Sequence, residues 1–487
     1  MREQVLSAFG RPGIVCLGDL MLDRYVHGTV DRISPEAPIP VLKVASGSAV
    51  LGGVGNVARN IAALGGRARL LAPIGDDAEG LEIARLAEAQ AGLEARLVPV
   101  AGRRSTLKTR FVAGGQQLLR ADREDDGALP AAAVAALLAA LEASLPGARA
   151  LILSDYAKGA LPPELLRGAI ACARAAGAFV VVDPKQSELS LYAGARLIKP
   201  NARELAVAAG RAANGEADVV AAARLVLARA GAELVLVSRG PAGSSLVSAD
   251  AAWHFPARAR EVFDVSGAGD TMVATVTLAL AAGLTPPQAA ELANLAGGIA
   301  VGKAGTATVD NEELAAALLD AAVQSSERKI VSREGALRQV AQWRQAGLRV
   351  GFTNGCFDLL HPGHVSLLAE ARAAADRLVV GLNSDASVRR LKGVGRPVQS
   401  ETARAVVLAS LASIDLVVLF EDDTPLALIE ALRPDVLVKG ADYSIEQVVG
   451  AEAVGRWGGR VLLARLLEGH STSGTIRRLV AGEAVGR

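Results

Sequence analysis

Short apolar runs alternate with long Ala- and Leu-rich stretches along most of the chain, and this alternation constrains the fold more than any other feature. The runs include GIVCLGD, ALILSDY, FVVVDPK and ELVLVSRG, and several end in Gly, Asp or Asn just before a helical pattern. Continuous apolar strands with helices between them are typical of a parallel sheet covered on both faces. Ligands bind at the carboxyl ends of such strands, so the loops there are candidate sites.

The alternation is interrupted once, which predicts a boundary between two domains. Residues 323–347 are polar, charged and helix-prone, and then the pattern restarts with LRVGFTNGCFD and RLVVGLNSD. At about 150 residues per domain, a chain of 487 residues suggests two or three domains. We therefore predict a doubly wound α/β domain over 1–322, a linker and leading helix over 323–347, and a smaller α/β domain over 348–487.

Composition narrows the possible functions. Hydrophobic residues make up 51% of the chain and charged residues 21%, which is enough apolar material for folded cores and excludes wholesale disorder. The net charge of +1 gives no reason to expect nucleic acid or an anionic membrane as the main partner. The three cysteines form no metal-ligand spacing or disulfide framework. With no signal-like start and no apolar run long enough to span a bilayer, we expect a cytoplasmic protein.

The string DVSGAGDT, from Asp264 to Thr271, is the sharpest motif of the first domain. It leads directly into an apolar helical pattern. The small residues Gly267, Ala268 and Gly269 would present backbone N–H groups at a helix N-terminus, which favours negative charge and would stabilise a transferring phosphate. Asp270, one residue further on, could accept the proton of an attacking hydroxyl, so the segment suits phosphoryl transfer. A Gly-rich turn with Asp as a cap is the alternative interpretation of GAGD alone.

Other candidate residues of the first domain follow predicted strands or Gly-rich loops. Asp19 and Asp23 lie at the first strand tip, where carboxylates could hold sugar hydroxyls, and a Gly-rich loop follows with Gly52, Gly53 and Asn56. The strings KPNARE, SRGPAGS and GKAGT come later, the last after a helix that contains Asn294.

In content and order these motifs resemble those of the ribokinase family of sugar kinases, over roughly residues 10–320. The resemblance implies the ribokinase-like fold, ATP as phosphate donor, Asp270 as catalytic base and Gly267–Gly269 as anion hole. It also implies a set of ATP-binding residues: Asn201, Ala202, Arg203, Glu204, Arg239, Gly240, Gly243, Asn294, Lys303 and Gly305. Val265 stands where the family often has Thr, which we expect to be harmless because the anion hole is backbone.

The string GDLMLDRYVHGTVDRISPEAPIPVLKV further resembles the heptose 7-phosphate kinase branch of that family. A substrate that already carries a phosphate needs cations in the sugar pocket. The candidates are Arg24, Arg32, Lys108, Arg110, Lys158 and Lys185. A surface salt bridge is the alternative role for each of them.

The decisive string of the second domain is TNGCFDLLHPGHVSLL, from Thr353 to Leu368. His361 and His364, three residues apart at a helix start, would share one face and could donate hydrogen bonds to phosphate oxygens. The two histidines could also be half of a metal site. The other histidines, His27, His254 and His470, are scattered, so we expect no protein metal site here.

This string resembles the HxGH motif of the nucleotidyltransferase superfamily, in particular its cytidylyltransferase-like group, over about residues 348–480. The resemblance implies a Rossmann-like fold and attack of a sugar phosphate on the α-phosphorus of a nucleotide. It assigns charge stabilisation to His361, His364 and Lys392, and Mg²⁺ would be bound mainly through nucleotide phosphates. It implies nucleotide-binding roles for Asn354, Gly355, Phe357, Asp358, Lys439, Ser471, Thr472, Ser473 and Arg477, the last four from the closing string EGHSTSGTIRR.

The order of the two domains resembles that of bifunctional heptose 7-phosphate kinase/heptose 1-phosphate adenylyltransferases of lipopolysaccharide biosynthesis. The resemblance implies ATP as substrate at both sites, a homodimer, and a separate phosphatase, because a 1,7-bisphosphate must lose its 7-phosphate before adenylylation. The alternatives are another sugar kinase fused to a cytidylyltransferase that uses CTP, and a scaffold of inactive domains. The joint presence of Asp270, His361 and His364 argues against the scaffold.

Overall fold

The computed structural model describes residues 8–10, 12–257, 262–441 and 444–465. The chain divides into two compact units, Met1–Leu318 and Leu319–Arg487. In the first unit the strands are β1 Gly13–Gly18, β2 Leu20–Ile33, β3 Pro40–Gly53, β4 Arg67–Gly75, β5 Leu93–Val100, β6 Thr106–Ala113, β7 Gln116–Arg123, β8 Ala148–Ser154, β9 Phe179–Asp183, β10 Leu197–Ile198, β11 Leu234–Ser238, β12 Ser244–Val247 and β13 Ala252–Phe255. Its helices are α1 Val54–Ala63, α2 Ala78–Ala89, α3 Ala131–Ser144, α4 Pro163–Ala175, α5 Ala202–Ala209, α6 Glu216–Ala230, α7 Ala268–Ala281 and α8 Pro286–Ala300, and α9 Asn311–Glu327 crosses the boundary between the units.

The centre of the first unit is a nine-stranded sheet in the order β13-β12-β11-β10-β9-β8-β1-β4-β5. Strands from β11 to β5 in this order pair in parallel, and β12 and β13 are antiparallel additions at one edge. Alternate residues of a strand face opposite sides of the sheet, and β1 follows this rule. Ile14 and Cys16 join the core under α1, α7 and α8, and Val15 and Leu17 join the core under α3, α4 and α6. The predicted doubly wound architecture is confirmed.

A second sheet of four strands, in the order β3-β2-β6-β7, was not predicted. Strand β2 pairs antiparallel with β3 and parallel with β6, and β7 pairs antiparallel with β6. Much of this sheet is exposed, and β7 is exposed at seven of its eight positions. Because the strands bury little apolar surface, they lack the continuous apolar runs from which the other strands were predicted. Asp19 follows the end of β1, as predicted, but Asp23, Arg24 and Arg32 lie within strand β2 and not at a strand tip.

The second unit contains a six-stranded parallel sheet in the order β14-β17-β16-β15-β18-β19. Its strands are β14 Ile330–Val331, β15 Val350–Gly355, β16 Arg377–Asn383, β17 Leu416–Phe420, β18 Val436–Gly440 and β19 Arg460–Ala464. Its helices are α10 Arg333–Gln345, α11 Pro362–Ala373, α12 Asp385–Lys392, α13 Glu401–Ala409, α14 Leu426–Leu432 and α15 Ala451–Arg456. The leading helix α10 belongs to this unit, because Ala336 and Val340 are buried in one of its two cores. Within the described ranges, no helix has the length and apolar character that a membrane span requires.

A pair of matched substitutions tests the core of the first unit. Leu70 on β4 is fully buried, and Leu81 on α2 is 73% exposed. We expect Leu70→Ala to lower the free energy of unfolding by about 2–5 kcal/mol, because it removes buried methyl groups and leaves a cavity. Leu81→Ala should change it by less than about 0.5 kcal/mol. Urea denaturation followed by circular dichroism measures both, and equal effects would contradict this assignment of the core.

Candidate active sites

The motif DVSGAGDT forms the start of helix α7. Gly267, the residue before the helix, has a φ of 79°, a conformation that favours glycine. The first turn of a helix has backbone N–H groups without intrahelical partners, and these attract anions. A Cβ atom built on Gly269 would lie 3.5 Å from Lys199 Nζ, so a cation lies beside the same helix start. The predicted phosphate site thus has both N–H groups and a lysine close to it.

Asp270 lies in the first turn of α7 and is 4% exposed. The Tyr156 hydroxyl donates a hydrogen bond to its Oδ1 at 2.5 Å, and Asn56 Nδ2 donates one to its Oδ2 at 2.8 Å. Burial raises the pKa of Asp270 to about 7, and the two hydrogen bonds, which favour the charged form, oppose this rise. A carboxylate with a pKa near neutrality can accept a proton at neutral pH, as a general base must.

Lys199 is a buried cation beside the start of α7. It is 3% exposed and pairs with Asp183 at 3.1 Å, at the carboxyl end of β9. Burial raises the pKa of Asp183, and Lys199 opposes the rise. Because Lys199 lies within reach of both Asp183 and the α7 start, it can share its charge with a phosphate bound there. Lys199 opens the string KPNARE but was not among the residues predicted to bind ATP.

Both aspartates predicted to bind the sugar have protein partners. The Asp19 carboxylate accepts hydrogen bonds from the backbone N–H groups of Tyr156, Lys158 and Ala160, so it fixes the loop that carries Tyr156. Asp23 Oδ1 accepts a hydrogen bond from Arg110 Nη1 at 2.7 Å, and both side chains are buried. Carboxylate oxygens accept more than one hydrogen bond, so a role in sugar binding stays a prediction for both.

The neighbouring glycines allow close approach of the backbone. A Cβ atom on Gly52 would lie 2.4 Å from Asp23 Oδ2, and one on Gly53 would lie 2.3 Å from the Asp19 carbonyl oxygen. Gly53 also has a φ of 58°. A side chain at either position would push away Asp23 or the backbone at Asp19. The two glycines therefore let the start of α1, which carries Asn56, pack against the end of β1 and the start of β2.

Most of the predicted phosphate-binding cations are neutralised by carboxylates. Arg24 pairs with Glu82 at 2.6 Å, Lys108 and Lys158 each pair with Glu124 at 2.6 Å, and Arg110 pairs with Asp23. Lys185 pairs with Glu204 at 2.6 Å. Arg32 is exposed near the end of β2. The structure brings Lys108 and Lys158 together through Glu124 and places Lys185 elsewhere, beside α5.

The residues predicted to bind ATP in the kinase fall into separate groups. Asn201 and Glu204 form a reciprocal cap at the start of α5, which Ala202 and Arg203 open. A cavity of about 340 Å³ borders this cap, with Lys185, Asn201, Arg203 and Glu204 among its lining residues.

The glycine loop after β11 lies next to Asn294. Arg239, Gly240 and Gly243 form this loop, and Gly243 has a φ of 85° with the Phe255 carbonyl oxygen 2.0 Å from a would-be Cβ. Asn294 Oδ1 accepts a hydrogen bond from the Ser244 hydroxyl at 2.9 Å, just after the loop.

Lys303 and Gly305 lie in the segment after α8. Lys303 pairs with Glu313 at 2.5 Å, and Gly305 donates its N–H to Asp264 Oδ2 at 3.0 Å. The Gly305 backbone also packs on Tyr25, so the structure places it towards the four-stranded sheet.

His361 and His364 of the second unit stack on each other. Their ring centroids are 3.8 Å apart, and Phe357 packs against His364 at 5.1 Å. Burial, followed by the neighbouring His361, lowers the pKa of His364 to about 4. His364 is therefore a neutral imidazole at pH 7, which donates one hydrogen bond and carries no charge. The predicted juxtaposition of the two histidines at the start of α11 is present in the structure.

The other predicted nucleotide-binding residues lie around the carboxyl ends of β15 and β18. Lys439 Nζ donates to the Asn354 carbonyl at 3.1 Å. Asp358 is 2% exposed and accepts hydrogen bonds from Arg396 Nε at 2.5 Å and from the Val398 N–H at 2.7 Å, so it fixes the loop after α12. Gly355 packs against the Phe357 ring.

Lys392 is exposed at the end of α12. Ser471, Thr472, Ser473 and Arg477 lie outside the described residues.

Arg404 is a site-building residue that sequence reasoning missed. It is 1% exposed. Its guanidinium donates to the carbonyl oxygens of Cys356, Asn383 and Gln399 and to Asp385 Oδ1, at 2.6 to 3.1 Å. One side chain thus joins the ends of β15 and β16, the start of α12 and the loop before α13. A signal was available, because an arginine four residues before the buried Leu408 lies on the apolar face of its helix.

Comparison with known proteins agrees with both halves of the fold. The model of the pfkB family of carbohydrate kinases matches residues 11–314, and the cytidylyltransferase-like model matches residues 352–456. Phosphofructokinase-2 from Escherichia coli, solved with potassium, is 26% identical with a TM-score of 0.54, over 64% of this chain and 98% of that one. Ribokinase from Arabidopsis thaliana, solved with ribose and ATP, is 19% identical with a TM-score of 0.51, over 63% and 98%, and shows the same fold. The chain therefore joins a pfkB-family carbohydrate kinase to a cytidylyltransferase-like domain.

Two curated relatives match almost the whole chain. The bifunctional protein HldE of Paramagnetospirillum magneticum is 54% identical over 96% of both chains. That of Caulobacter vibrioides is 55% identical over 97% of this chain and 98% of the relative. The chain belongs to the HldE family of bifunctional proteins, and it is a bifunctional transferase with a kinase and a nucleotidyltransferase part. The predicted fusion of these two enzymes is confirmed.

The pKa of Asp270 predicts the pH dependence of the kinase. As the predicted base, Asp270 must be deprotonated, so kcat/KM should fall about tenfold per pH unit below a limb near pH 7. Tyr156→Phe removes a hydrogen bond that favours the charged carboxylate, so the pKa of Asp270 should rise and the limb should move to higher pH. Tyr192→Phe is the control, since the Tyr192 hydroxyl bonds to Asp155 instead. Initial-rate profiles from pH 5 to 9 measure this, and an unmoved limb in Tyr156→Phe would contradict it.

Proposed function

We propose that the chain phosphorylates D-glycero-D-manno-heptose 7-phosphate at O1 with ATP and transfers an adenylyl group from ATP to heptose 1-phosphate. The products are the 1,7-bisphosphate at the first site, and ADP-heptose with pyrophosphate at the second. Both reactions belong to the supply of the lipopolysaccharide core precursor. The observation that carries the kinase assignment is the buried Asp270 in the first turn of α7, held by Asn56 and Tyr156 and close to Lys199.

At the kinase site, the proton of the sugar O1 passes to an Asp270 oxygen while O1 attacks the γ-phosphorus of ATP and ADP leaves. Asn56 and Tyr156 hold the carboxylate in place by the hydrogen bonds described above. The N–H groups at the start of α7 and the Lys199 ammonium face the charge that develops on the transferring group. Asp19 contributes indirectly, because it holds the loop that carries Tyr156.

At the second site, a phosphate oxygen of heptose 1-phosphate attacks the α-phosphorus of ATP and pyrophosphate leaves. The nucleophile is already an anion, so this step needs no general base. The neutral His364, stacked on His361 at the start of α11, supports a role as hydrogen-bond donor to phosphate oxygens. Lys392, Lys439 and the residues Ser471–Ser473 would add positive charge and donors, as the resemblance implies. Mg²⁺ would enter with the nucleotide phosphates at both sites.

The two reactions are not consecutive, because the 7-phosphate of the first product must be removed before the second site acts. We therefore propose that a separate phosphatase acts between them, and that the protein works in the cytoplasm as a homodimer. The resemblance described above supports these proposals. Product analysis with heptose 7-phosphate and ATP tests the first reaction. Pyrophosphate release from heptose 1-phosphate with ATP or CTP tests the second, and faster release with CTP would overturn ATP as its nucleotide.

Substitution of the catalytic base should separate the two activities. Asp270→Asn keeps the shape of the side chain but removes its basicity, so we expect kinase kcat to fall by about 10²- to 10⁴-fold. Adenylyl transfer should be unchanged, because the second site lies in the other compact unit. Coupled assays of ADP and pyrophosphate release measure both rates on one preparation. Comparable loss in the two assays would contradict two separate sites.

His364→Ala should have the opposite effect. Loss of an imidazole donor at the transferring phosphate should lower adenylyl transfer by about 10²- to 10³-fold, and the kinase should be unchanged. Since His364 is neutral at pH 7, the wild-type adenylyl transfer rate should show no limb near pH 6 that His364→Ala removes. Full adenylyl transfer in His364→Ala would rule out the proposed role of the pair.

A further inference from the structure

A large cavity lies between the four-stranded sheet and the segments before α7 and after α8. Its volume is about 890 Å³, and its lining includes Tyr25, Arg59, Arg110, Arg120, Asp264 and Thr306. We call it the sheet cavity, after the four-stranded sheet on one side of it. Three arginines and one carboxylate, Asp264, are among its described lining residues, so cations outnumber carboxylates in the described lining. The Asp264 oxygens accept the N–H groups of Ser266 and Gly305, so that carboxylate already has partners.

The three arginines differ in their partners. Arg110 pairs with Asp23 at 2.7 Å, and Arg120 pairs with Asp122 at 3.0 Å. Arg59, on α1, is half-buried and has no carboxylate within ion-pair distance among the described residues. Burial lowers the pKa of its guanidinium, and the charge of Asp23, which is itself paired with Arg110, opposes this fall. A partly desolvated cation whose neighbouring carboxylate is already paired with another arginine is stabilised by the charge of a bound anion.

The hydrogen bonds of Arg59 leave one edge of the guanidinium open. Nη1 donates to the Leu51 carbonyl at 3.5 Å, to Asn56 Oδ1 at 3.4 Å and to the Thr306 carbonyl at 3.1 Å. Nε and Nη2 have no partner in the described part of the chain. These two atoms form the fork that binds two oxygens of a phosphate.

The position of Arg59 relates it to the catalytic base. Asn56 lies one helical turn before Arg59, and its amide faces both groups, with Oδ1 towards Arg59 and Nδ2 towards Asp270. A sugar whose hydroxyl reaches Asp270 can therefore present another part of itself to Arg59. The predicted cations Arg24, Lys108, Arg110, Lys158 and Lys185 all have carboxylate partners, as described above, whereas no ion pair of Arg59 is found among the described residues.

We propose that Arg59 binds the phosphate that the sugar substrate already carries, through Nε and Nη2, in the sheet cavity. This rests on the proposed kinase function and assigns its specificity for a phosphorylated sugar to one side chain that sequence reasoning missed. The ligand is a phosphate monoester dianion attached to a sugar.

The test compares heptose 7-phosphate with the dephosphorylated heptose in steady-state kinase assays of the full chain. In Arg59→Gln, KM for the phosphorylated sugar should rise roughly 10- to 100-fold, as expected for the loss of a charge-assisted hydrogen bond. KM for ATP should not change. The preference for phosphorylated over dephosphorylated sugar in kcat/KM should fall by the same factor. Arg59→Lys, which keeps the charge and loses the fork, should lie between the two.

Arg149→Gln, an exposed arginine at the start of β8, is the matched control and should behave as wild type. Unchanged adenylyl transfer shows that the second unit of each variant is folded. A urea titration compares the stability of the first unit between each variant and the wild type. An equal fall of kcat/KM on both sugars in Arg59→Gln would overturn the inference, because Arg59 would then act only by orienting Asn56. Loss of the preference in Arg104→Gln instead, an exposed arginine beside Asp19 and Lys158, would also overturn it.

Failure of the proposed function gives a different result. If wild type does not use heptose 7-phosphate, the function is wrong, and the same comparison is made with a panel of other sugar phosphates and their parent sugars. The Arg59 inference then holds if the preferred sugar phosphate loses its advantage in Arg59→Gln. It fails if wild type shows no preference for a phosphate on any sugar.

Discussion

The burial of the Asp270 carboxylate is the constraint on which the kinase half depends. An aspartate that is 4% exposed would be protonated and useless as a base at neutral pH without donors that favour its charge. Asn56 and Tyr156 supply them, and they come from α1 and from the loop after β8. The requirement to place one carboxylate correctly thus ties together three segments that are far apart in sequence.

Asp19 and Arg59 in turn hold these two donors in position. Asp19, at the end of β1, binds three backbone N–H groups of the loop that carries Tyr156. Arg59 binds the Asn56 amide and the Thr306 carbonyl, which joins α1 to the segment after α8. Preorganised groups of this kind stabilise charge without rearrangement during the reaction. Loss of one of these contacts would therefore disturb the Asp270 carboxylate through Tyr156 or Asn56.

In the second unit, a buried arginine holds together the segments around the predicted nucleotide site. Arg404 is buried and holds four segments at the carboxyl end of the parallel sheet, and Asp358 holds the loop after α12 in the same way. His364, by contrast, is kept neutral by burial and by the neighbouring His361, so it could donate a hydrogen bond to phosphate without adding charge. Both units thus use buried charged side chains as braces, and burial shifts the pKa of one predicted site residue in each, upward for Asp270 and downward for His364.

The sequence alone determined the α/β architecture of both units and predicted the reacting groups. Continuous apolar strands can be read from a periodic pattern, and motifs such as SGAGD and HPGH are local, so their geometry follows from a few adjacent residues. The tertiary structure decided which groups support them. The four-stranded sheet is too exposed to leave an apolar pattern. Tyr156, Arg59 and Arg404 act through partners dozens to hundreds of residues away, and only folding brings those partners within hydrogen-bond distance. It also showed which cations are already neutralised, because an ion pair depends on the distance between two side chains.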